Sequence, residues 1–428
     1  MTSRNSTLSR VLALDAPTLA VDLFLFAMKA LLLFFATWAL VGTIALQVSG
    51  RGLTGAAWAD VFAGGLAQGF MYGLIALGYS MVYGVLGFIN FAHGEVFMAG
   101  AMTGYFVADA LFDAGMWESA FLPALLIALL CSMLVSTLVA VVIERVAYRP
   151  LRGAPRLIPL ITSIGASFFV QYAVRGLVGD AYKTFPLLPE GLQNRVSILG
   201  LNVEGIKLLV IGTAILSMFA LWAFVTRSKT GRAMRAVAED KEIASLMGID
   251  VDRVVVTTFA VGGAMAGVGG ILWAMLFGKV FFLTGFLPGI KAFTAAVLGG
   301  IGNLPGAMLG GISLGLVEAS GPTLLSGMSW VIPTWVALVV SACAAGAIFH
   351  GWRLAAGLEA RRMGMAIGFM LFGVIGVLAG VFLLPGASVY IPGASQLKDM
   401  IAFIVLIGVL MIRPIGLLGE RLAVEERG

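Results

Sequence analysis

The sequence predicts an all-α fold, a polytopic transmembrane helical bundle of about ten or eleven membrane segments. Three observations carry that prediction. Of 428 residues, 60% are hydrophobic and only 11% are charged, against about 25% charged in ordinary soluble domains. The hydrophobic residues come in blocks near 20 residues long, the length of a helix that crosses a bilayer core of about 30 Å. Lys and Arg gather in the short connections between blocks, as topology-setting charges do.

Taken in order, the apolar blocks run over residues 23–48, 61–88, 95–111, 121–143, 158–178, 206–226, 254–277, 288–319, 328–349, 364–385 and 398–412. Arg145, Arg149, Arg152 and Arg156 crowd one connection, six Lys or Arg lie within 227–253, and Arg353, Arg361 and Arg362 mark a third. These connections are expected on the cytoplasmic side. The connection around Asp113 and Glu118 has no Lys or Arg, and that over 179–207 is mixed, so both are expected to face outward. Counting spans between these points places both termini in the cytoplasm.

The block at 288–319 breaks the count if it is one straight span. A re-entrant hairpin or a pair of short helices restores the parity, and Gly300, Gly302, Asn303, Pro305 and Gly306 supply the break: proline lacks a donor and glycine accepts turn conformations. Non-helical backbone at membrane depth survives when buried in protein or lining a cavity. The segment is therefore a candidate broken-helix pathway, with a Gly-rich packing kink as the alternative. Lys291 stands outward of the break, where an interfacial anchor is the simpler reading. Gly65, Gly69 and Gly73, and Gly302, Gly306 and Gly310, form ridges at four-residue spacing that suit close helix contact.

Charge and cysteine usage exclude other classes. The net charge of +5 would suggest nucleic acid in a soluble chain, but here the arginines sit in loops between spans, so no nucleic-acid partner is expected. Cys131 and Cys343 both fall in apolar blocks, which implies neither a disulfide frame nor a metal site. No catalytic residues are assigned. Gly311 to Gly315 formally fits G-x-S-x-G, yet it lies in apolar sequence with only His93 and His350 in the chain to act as base.

Two stretches carry functional signal. Residues 227–253 are a charged segment inside a membrane chain. From Met234 to Met247 the apolar residues Met234, Val237, Ala238, Ala244, Leu246 and Met247 follow a helical period, while Arg235, Glu239, Asp240, Lys241 and Glu242 supply a wet side. The pattern predicts one amphipathic helix over 234–247, stopped by Gly248. Such a helix suits either the docking of a soluble partner or a position at the lipid headgroups. The second stretch places Asn90, His93 and Glu95 in an apolar region, where a polar group without a partner costs several kcal/mol. They are expected to pair with one another, with water or with a substrate, as a structural clamp or as part of a pathway.

Five motifs carry a family resemblance. Residues 242–248 read E-I-A-S-L-M-G, the E-x-A-x-x-x-G core by which ABC-importer permeases engage their ATPases. From Gly78 the chain reads G-Y-S-M-V-Y-G-V-L-G-F-I-N-F-A-H-G-E-V-F-M, from Glu144 E-R-V-A-Y-R-P-L-R, from Gly231 G-R-A-M-R-A-V-A-E-D, and from Lys291 K-A-F-T-A-A-V-L-G-G-I-G-N-L-P-G-A. Together they resemble the LivH-type permeases of branched-chain amino acid ABC importers. The resemblance covers residues 58–326 and resumes near 396–419. It implies four parts: an N-terminal extension with an extra helix over 1–57, a permease core over 58–326, an inserted pair of helices over 327–395, and a final helix and cytoplasmic tail over 396–428.

The resemblance further implies a transport subunit of the bacterial inner membrane that is not an enzyme. Arg232, Arg235, Glu239, Asp240, Glu242, Ala244 and Gly248 would form its ATPase-coupling loop. The chain carries no G-x-x-x-x-G-K phosphate loop, so no cofactor is expected on it. ATP and magnesium would sit on two ABC ATPase subunits, beside a LivM-like second permease and a periplasmic substrate-binding protein. The implied cargo is a branched-chain or related hydrophobic amino acid. Urea, short amides or other amino acids are alternatives within similar permeases, and an ion-coupled secondary transporter is the rival class.

Overall fold

The computed structural model describes residues 47, 53–155, 157–198, 201–325, 398–413 and 416–419. The spans expected at 328–349 and 364–385, that at 23–48 except Gln47, and the connection with Arg353, Arg361 and Arg362 lie outside the described residues. What is described belongs almost wholly to one unit, residues 1–321 with 398–428.

Six described helices are long and apolar enough to cross a membrane. Helix α1, Gly55–Leu86, opens on Thr54, whose hydroxyl accepts from Ala57 N, and ends on Gly87 with φ 79°. Its residues from Met71 to Val82 are buried without interruption, which makes it the central helix. Helices α2 (His93–Asp113), α5 (Gly205–Arg227) and α8 (Val251–Phe277) pack against it, α3 (Phe121–Ile143) packs on α2 and α8, and α4 (Leu157–Val178) lies against α2. In α3 the buried residues Ala124, Ala128, Ser132, Ser136 and Ala140 recur every four positions, while Leu126, Leu130, Leu134 and Leu138 are exposed. Small residues inward and leucines outward is the pattern of a helix packed in a bilayer, where apolar area alone does not drive association. Ser132 and Ser136 donate across to the carbonyls of Gly100 and Val96 on α2 at 3.0 and 2.9 Å.

The expected break is present. Helix α9 runs over Phe286–Gly299 and α10 over Leu304–Leu325, joined through Gly300 and Gly302 at φ 106° and 92°. A Cβ on Gly306 would meet the Gly299 carbonyl oxygen at 2.3 Å, and one on Gly310 the Ala295 carbonyl oxygen at 2.0 Å. Pairing of 299 with 306 and of 295 with 310 is the register of an antiparallel hairpin centred on 302–303. With 14 residues, α9 is about 21 Å long, too short to cross the core alone. The glycine ridge on α1 seats this hairpin: a Cβ on Gly69 would lie 2.8 Å from the Ile312 Cα. Of the ridge expected on 302, 306 and 310, the last two pack against α9, whereas a Cβ on Gly302 would meet nothing within 4 Å.

Helix α11, Lys398–Ile412, closes the described fold. Leu417 N and Leu418 N donate to the carbonyls of Leu298 and Gly299, and Asn303 Nδ2 donates to the Leu418 carbonyl at 2.9 Å. The hairpin tip is thereby pinned by residues more than a hundred positions away in sequence.

The two described Arg-rich connections share one end of the bundle. Arg149 and Arg152 both pair with Asp252 at the start of α8, and Arg152 also bonds Glu144, a buried carboxylate in a π-helical turn over Glu144–Tyr148. Lys241 donates to the Leu86 carbonyl at the close of α1. The opposite end holds two small antiparallel pairs, β1 (Lys183–Thr184) with β4 (Lys279–Val280) and β2 (Arg195–Ile198) with β3 (Leu201–Glu204). There Lys207 also bonds Asp60 at 2.5 Å.

Candidate functional site

The segment expected to be one amphipathic helix is two. Helix α6 spans Lys229–Glu239 and α7 spans Lys241–Leu246, with Asp240 extended between them at φ −150° and ψ 117°. The Asp240 carboxylate accepts from Glu242 N and Ile243 N at 2.8 and 2.9 Å, so a residue read as part of a helix face is an N-cap. Ser228 caps α6 in the same way, through Gly231 N. Gly248, at φ 82°, ends α7, and Asp250 caps α8 through Arg253 N.

The faces also differ from the expectation. Met234, Val237 and Ala244 are buried, but Leu246 and Met247 are 86% and 77% exposed and Ile243 is 60% exposed. Arg232, Arg235, Glu239 and Glu242 are exposed as well. The helix pair therefore presents three large apolar side chains amid charge, on a short, well-capped element held to the bundle by Met234, Val237 and Ala244.

The side chains of Asn90, His93 and Glu95 do not bond one another, although His93 N donates to the Asn90 carbonyl at 3.2 Å. Each turns to a different helix, because the chain folds back between Gly87 and Ala92 before α2 begins and a helix start fans its side chains outward. Asn90 accepts from the Tyr148 hydroxyl at 2.6 Å. His93 packs edge-on to Tyr79, centroids 4.9 Å apart, in space that the missing side chain of Gly78 leaves open. Glu95 accepts from Gln171 Nε2 at 2.6 Å and from Ser167 Oγ at 3.3 Å on α4. Pro159, Ser163, Ser167 and Gln171 are the buried residues of α4, so this peripheral helix is attached by the polar contacts of Ser167 and Gln171 together with Ala166, Val170 and Val174, which pack on the core.

The loop before α9 meets the start of α2 at the same depth. A Cβ on Gly285 would lie 2.2 Å from the Gly94 carbonyl oxygen, and one on Gly289 would lie 2.8 Å from the Gly94 Cα. Two helices thus begin side by side within the bundle, beside the connection at 87–92. Irregular backbone in such a position is tolerated because protein surrounds it.

Lys291 is not an interfacial anchor. It is buried at 5% exposure, and its Nζ bonds Glu318 Oε1 and Asp399 Oδ1, each at 2.7 Å, and lies 5.8 Å from the centroid of the Tyr72 ring. Glu318, 2% exposed, also accepts from Gln68 Nε2 and the Tyr72 hydroxyl, both at 2.9 Å. The position of Lys291 one helix turn into α9 points its ammonium at α10 and α11, a tertiary arrangement with no local signature. Asp399 and Gln68 belong to no motif in the sequence; Gln68, the lone amide in the apolar block over 61–88, is the available signal.

Of the remaining hairpin residues, Gly300 and Gly302 form the turn, Asn303 bonds both Gly306 N and the segment after α11, and Gly306 packs on Gly299. Pro305 lines an apolar cavity of about 260 Å³ with Phe70, Met218, Phe219, Trp222 and Met308. Among the described residues no group of His, Cys, Asp and Glu is arranged to hold a metal.

A multi-pass helical bundle with helix breaks at depth, a buried ion network and a charged helix pair at one end has the build of a membrane transport protein. Its sequence says which kind. The chain belongs to the family described as branched-chain amino acid transport system, permease component, whose profile matches residues 61–346. It is 45% identical over 259 residues to the high-affinity branched-chain amino acid transport system permease protein BraD of Pseudomonas aeruginosa, a match covering 60% of this chain and 84% of that one. It is 42% identical over 264 residues to the corresponding protein LivH of Escherichia coli K12, covering 61% and 85%. A probable branched-chain amino acid transport permease protein LivH of Methanocaldococcus jannaschii is 27% identical over 255 residues, covering 58% and 75%. No solved structure matches.

Proposed function

We propose that this chain is the membrane-spanning subunit of an ABC importer that carries branched-chain or related hydrophobic amino acids across the bacterial inner membrane. The observation that carries the reading is the helix pair α6–α7. A capped element that exposes Ile243, Leu246 and Met247 beside Glu242 suits insertion into a groove on a soluble ATPase, where a few buried apolar anchors supply most of the binding. Docking there moves α8 directly, since Met247 to Asp250 is all that separates the two helices. Supporting the cargo are the names of the relatives; supporting the orientation are the arginines clustered at the α6–α7 end, which would be cytoplasmic.

The partners in this reading are a second, LivM-like permease, two ATPases that hold ATP and magnesium, and a periplasmic binding protein. The extension over 1–57 and the inserted helices over 327–395 would be additions to a transport core at 58–326, with the final helix and tail at 396–428. The test is reconstitution. Leu246→Glu with Met247→Glu should abolish copurification of the ATPase and leucine uptake while membrane insertion stays normal, and full copurification in that variant would refute the docking role.

A further inference from the structure

Lys291, Glu318 and Asp399 form an ion network for which neither packing nor ATPase docking has a use. Desolvation opposes ionised groups inside a membrane, and apolar residues of the same volume pack helices at least as well. Groups retained against that penalty are expected to act on something. Five side chains from four helices converge here: Gln68 and Tyr72 of α1, Lys291 of α9, Glu318 of α10 and Asp399 of α11.

The chemistry of the cage is specific. The Lys291 ammonium is held by two carboxylates at 2.7 Å and by the Tyr72 ring at 5.8 Å. Two carboxylates and an aromatic face make a receptor for a primary ammonium. The ammonium of a lysine and the α-ammonium of a free amino acid are the same group, each with three donors.

We infer that this cage is a zwitterion site in which the α-ammonium of a passing amino acid displaces Lys291 from Glu318 and Asp399, and the freed Lys291 takes the α-carboxylate. The exchange is non-covalent and leaves every buried charge opposed, because the incoming molecule brings one charge of each sign. Glu318 stays fixed throughout by Gln68 and the Tyr72 hydroxyl. A route to it exists on one side: the Asp399 side chain is 39% exposed, and the ammonium of Lys398, itself 47% exposed, already comes within 3.8 Å of Glu318 Oε1. The site reads the two charges that all α-amino acids share, and it has no use for urea or simple amides. The inference rests on the amino-acid cargo proposed above.

The test uses the assembled transporter in proteoliposomes, with radiolabelled leucine and urea as probes, and compares Lys291→Gln, Glu318→Gln, the double variant and Asp399→Asn. Each single change at Lys291 or Glu318 should lower leucine uptake by about ten-fold or more, the equivalent of one or two lost charged hydrogen bonds. The double variant strands neither of the two deeply buried charges, and the Asp399 it leaves without Lys291 is partly exposed, so its melting temperature should recover while its uptake does not. Asp399→Asn, at the exposed mouth, should assemble and raise the half-saturating leucine concentration by about three-fold or more. Leucine uptake restored in the double variant, or a leucine dependence unmoved in Asp399→Asn, would make the network structural and overturn the site. Wild-type vesicles that take up urea and no amino acid give a separate result: they refute the proposed cargo, and with it this use of the cage.

Discussion

Gly78 and His93 show how a single residue is decided by its neighbour. A Cβ at Gly78 would stand 2.2 Å from His93 Nε2 and 3.2 Å from the Gly262 carbonyl oxygen, so three elements converge where one side chain is missing. Gly78→Ala should destabilise the purified protein by about 1–3 kcal/mol, the usual penalty of overpacking. Pairing it with His93→Ala removes the ring that the new methyl strikes, and the loss in the double variant should be smaller than the sum of the two single losses. Thermal unfolding of the four proteins reads both effects, and strict additivity would place His93 away from Gly78. Glu95 makes a related point. Its partners Ser167 and Gln171 stand more than seventy residues on, so its role as the anchor of α4 belongs to the fold and to no local motif.

At the scale of elements, Asp240 divides a helix that amphipathic periodicity would run straight through. An aspartate at that point offers its carboxylate to two backbone donors of the next turn, and the competing local bond wins over helix propagation. A helix of six residues, α7, has little stability of its own. Removing the cap by Asp240→Ala costs about 1 kcal/mol, a small share of total stability but a large share for this element. Substrate-stimulated ATPase in the reconstituted complex should fall several-fold while the melting temperature of the purified chain hardly moves. Unchanged stimulation would mean that the orientation of α7 does not matter to coupling.

For the molecule as a whole, the ion pairs at one end and the small strand pairs at the other define two faces. In a background with Cys131 and Cys343 replaced, cysteines at Gly153 and Ser245 should react with an impermeant thiol reagent from the same side of the membrane, and one at Thr184 from the other. All three positions are exposed. Gly153 and Ser245 reporting opposite sides would contradict the pairing of Arg149 and Arg152 with Asp252. Orientation follows from the same experiment, with the arginine-bearing side expected in the cytoplasm.

Class, end and breaks were legible in the sequence by itself. Blocks of apolar residues near bilayer length, arginines confined to short connections, and the Gly-Gly-Ile-Gly-Asn-Leu-Pro-Gly run at 299–306 are properties of local composition, and local composition determines span, topology signal and helix interruption. The glycines at 65, 69 and 73 likewise announced close packing, though not that the partner would be α10. What the tertiary structure alone decided was pairing. Lys291 read as a membrane-interface lysine and is buried against Glu318 and Asp399; Asn90, His93 and Glu95 read as one cluster and point to three helices; Leu246 and Met247 read as one face with Met234, Val237 and Ala244 and are exposed while those three are buried. Each outcome depends on which groups from distant segments arrive within about 3 Å, and a buried charge or hydroxyl takes whichever partner the packing brings. Periodicity tells which face of a helix is apolar, but only the neighbouring helices determine whether that face meets protein, lipid or a docking partner.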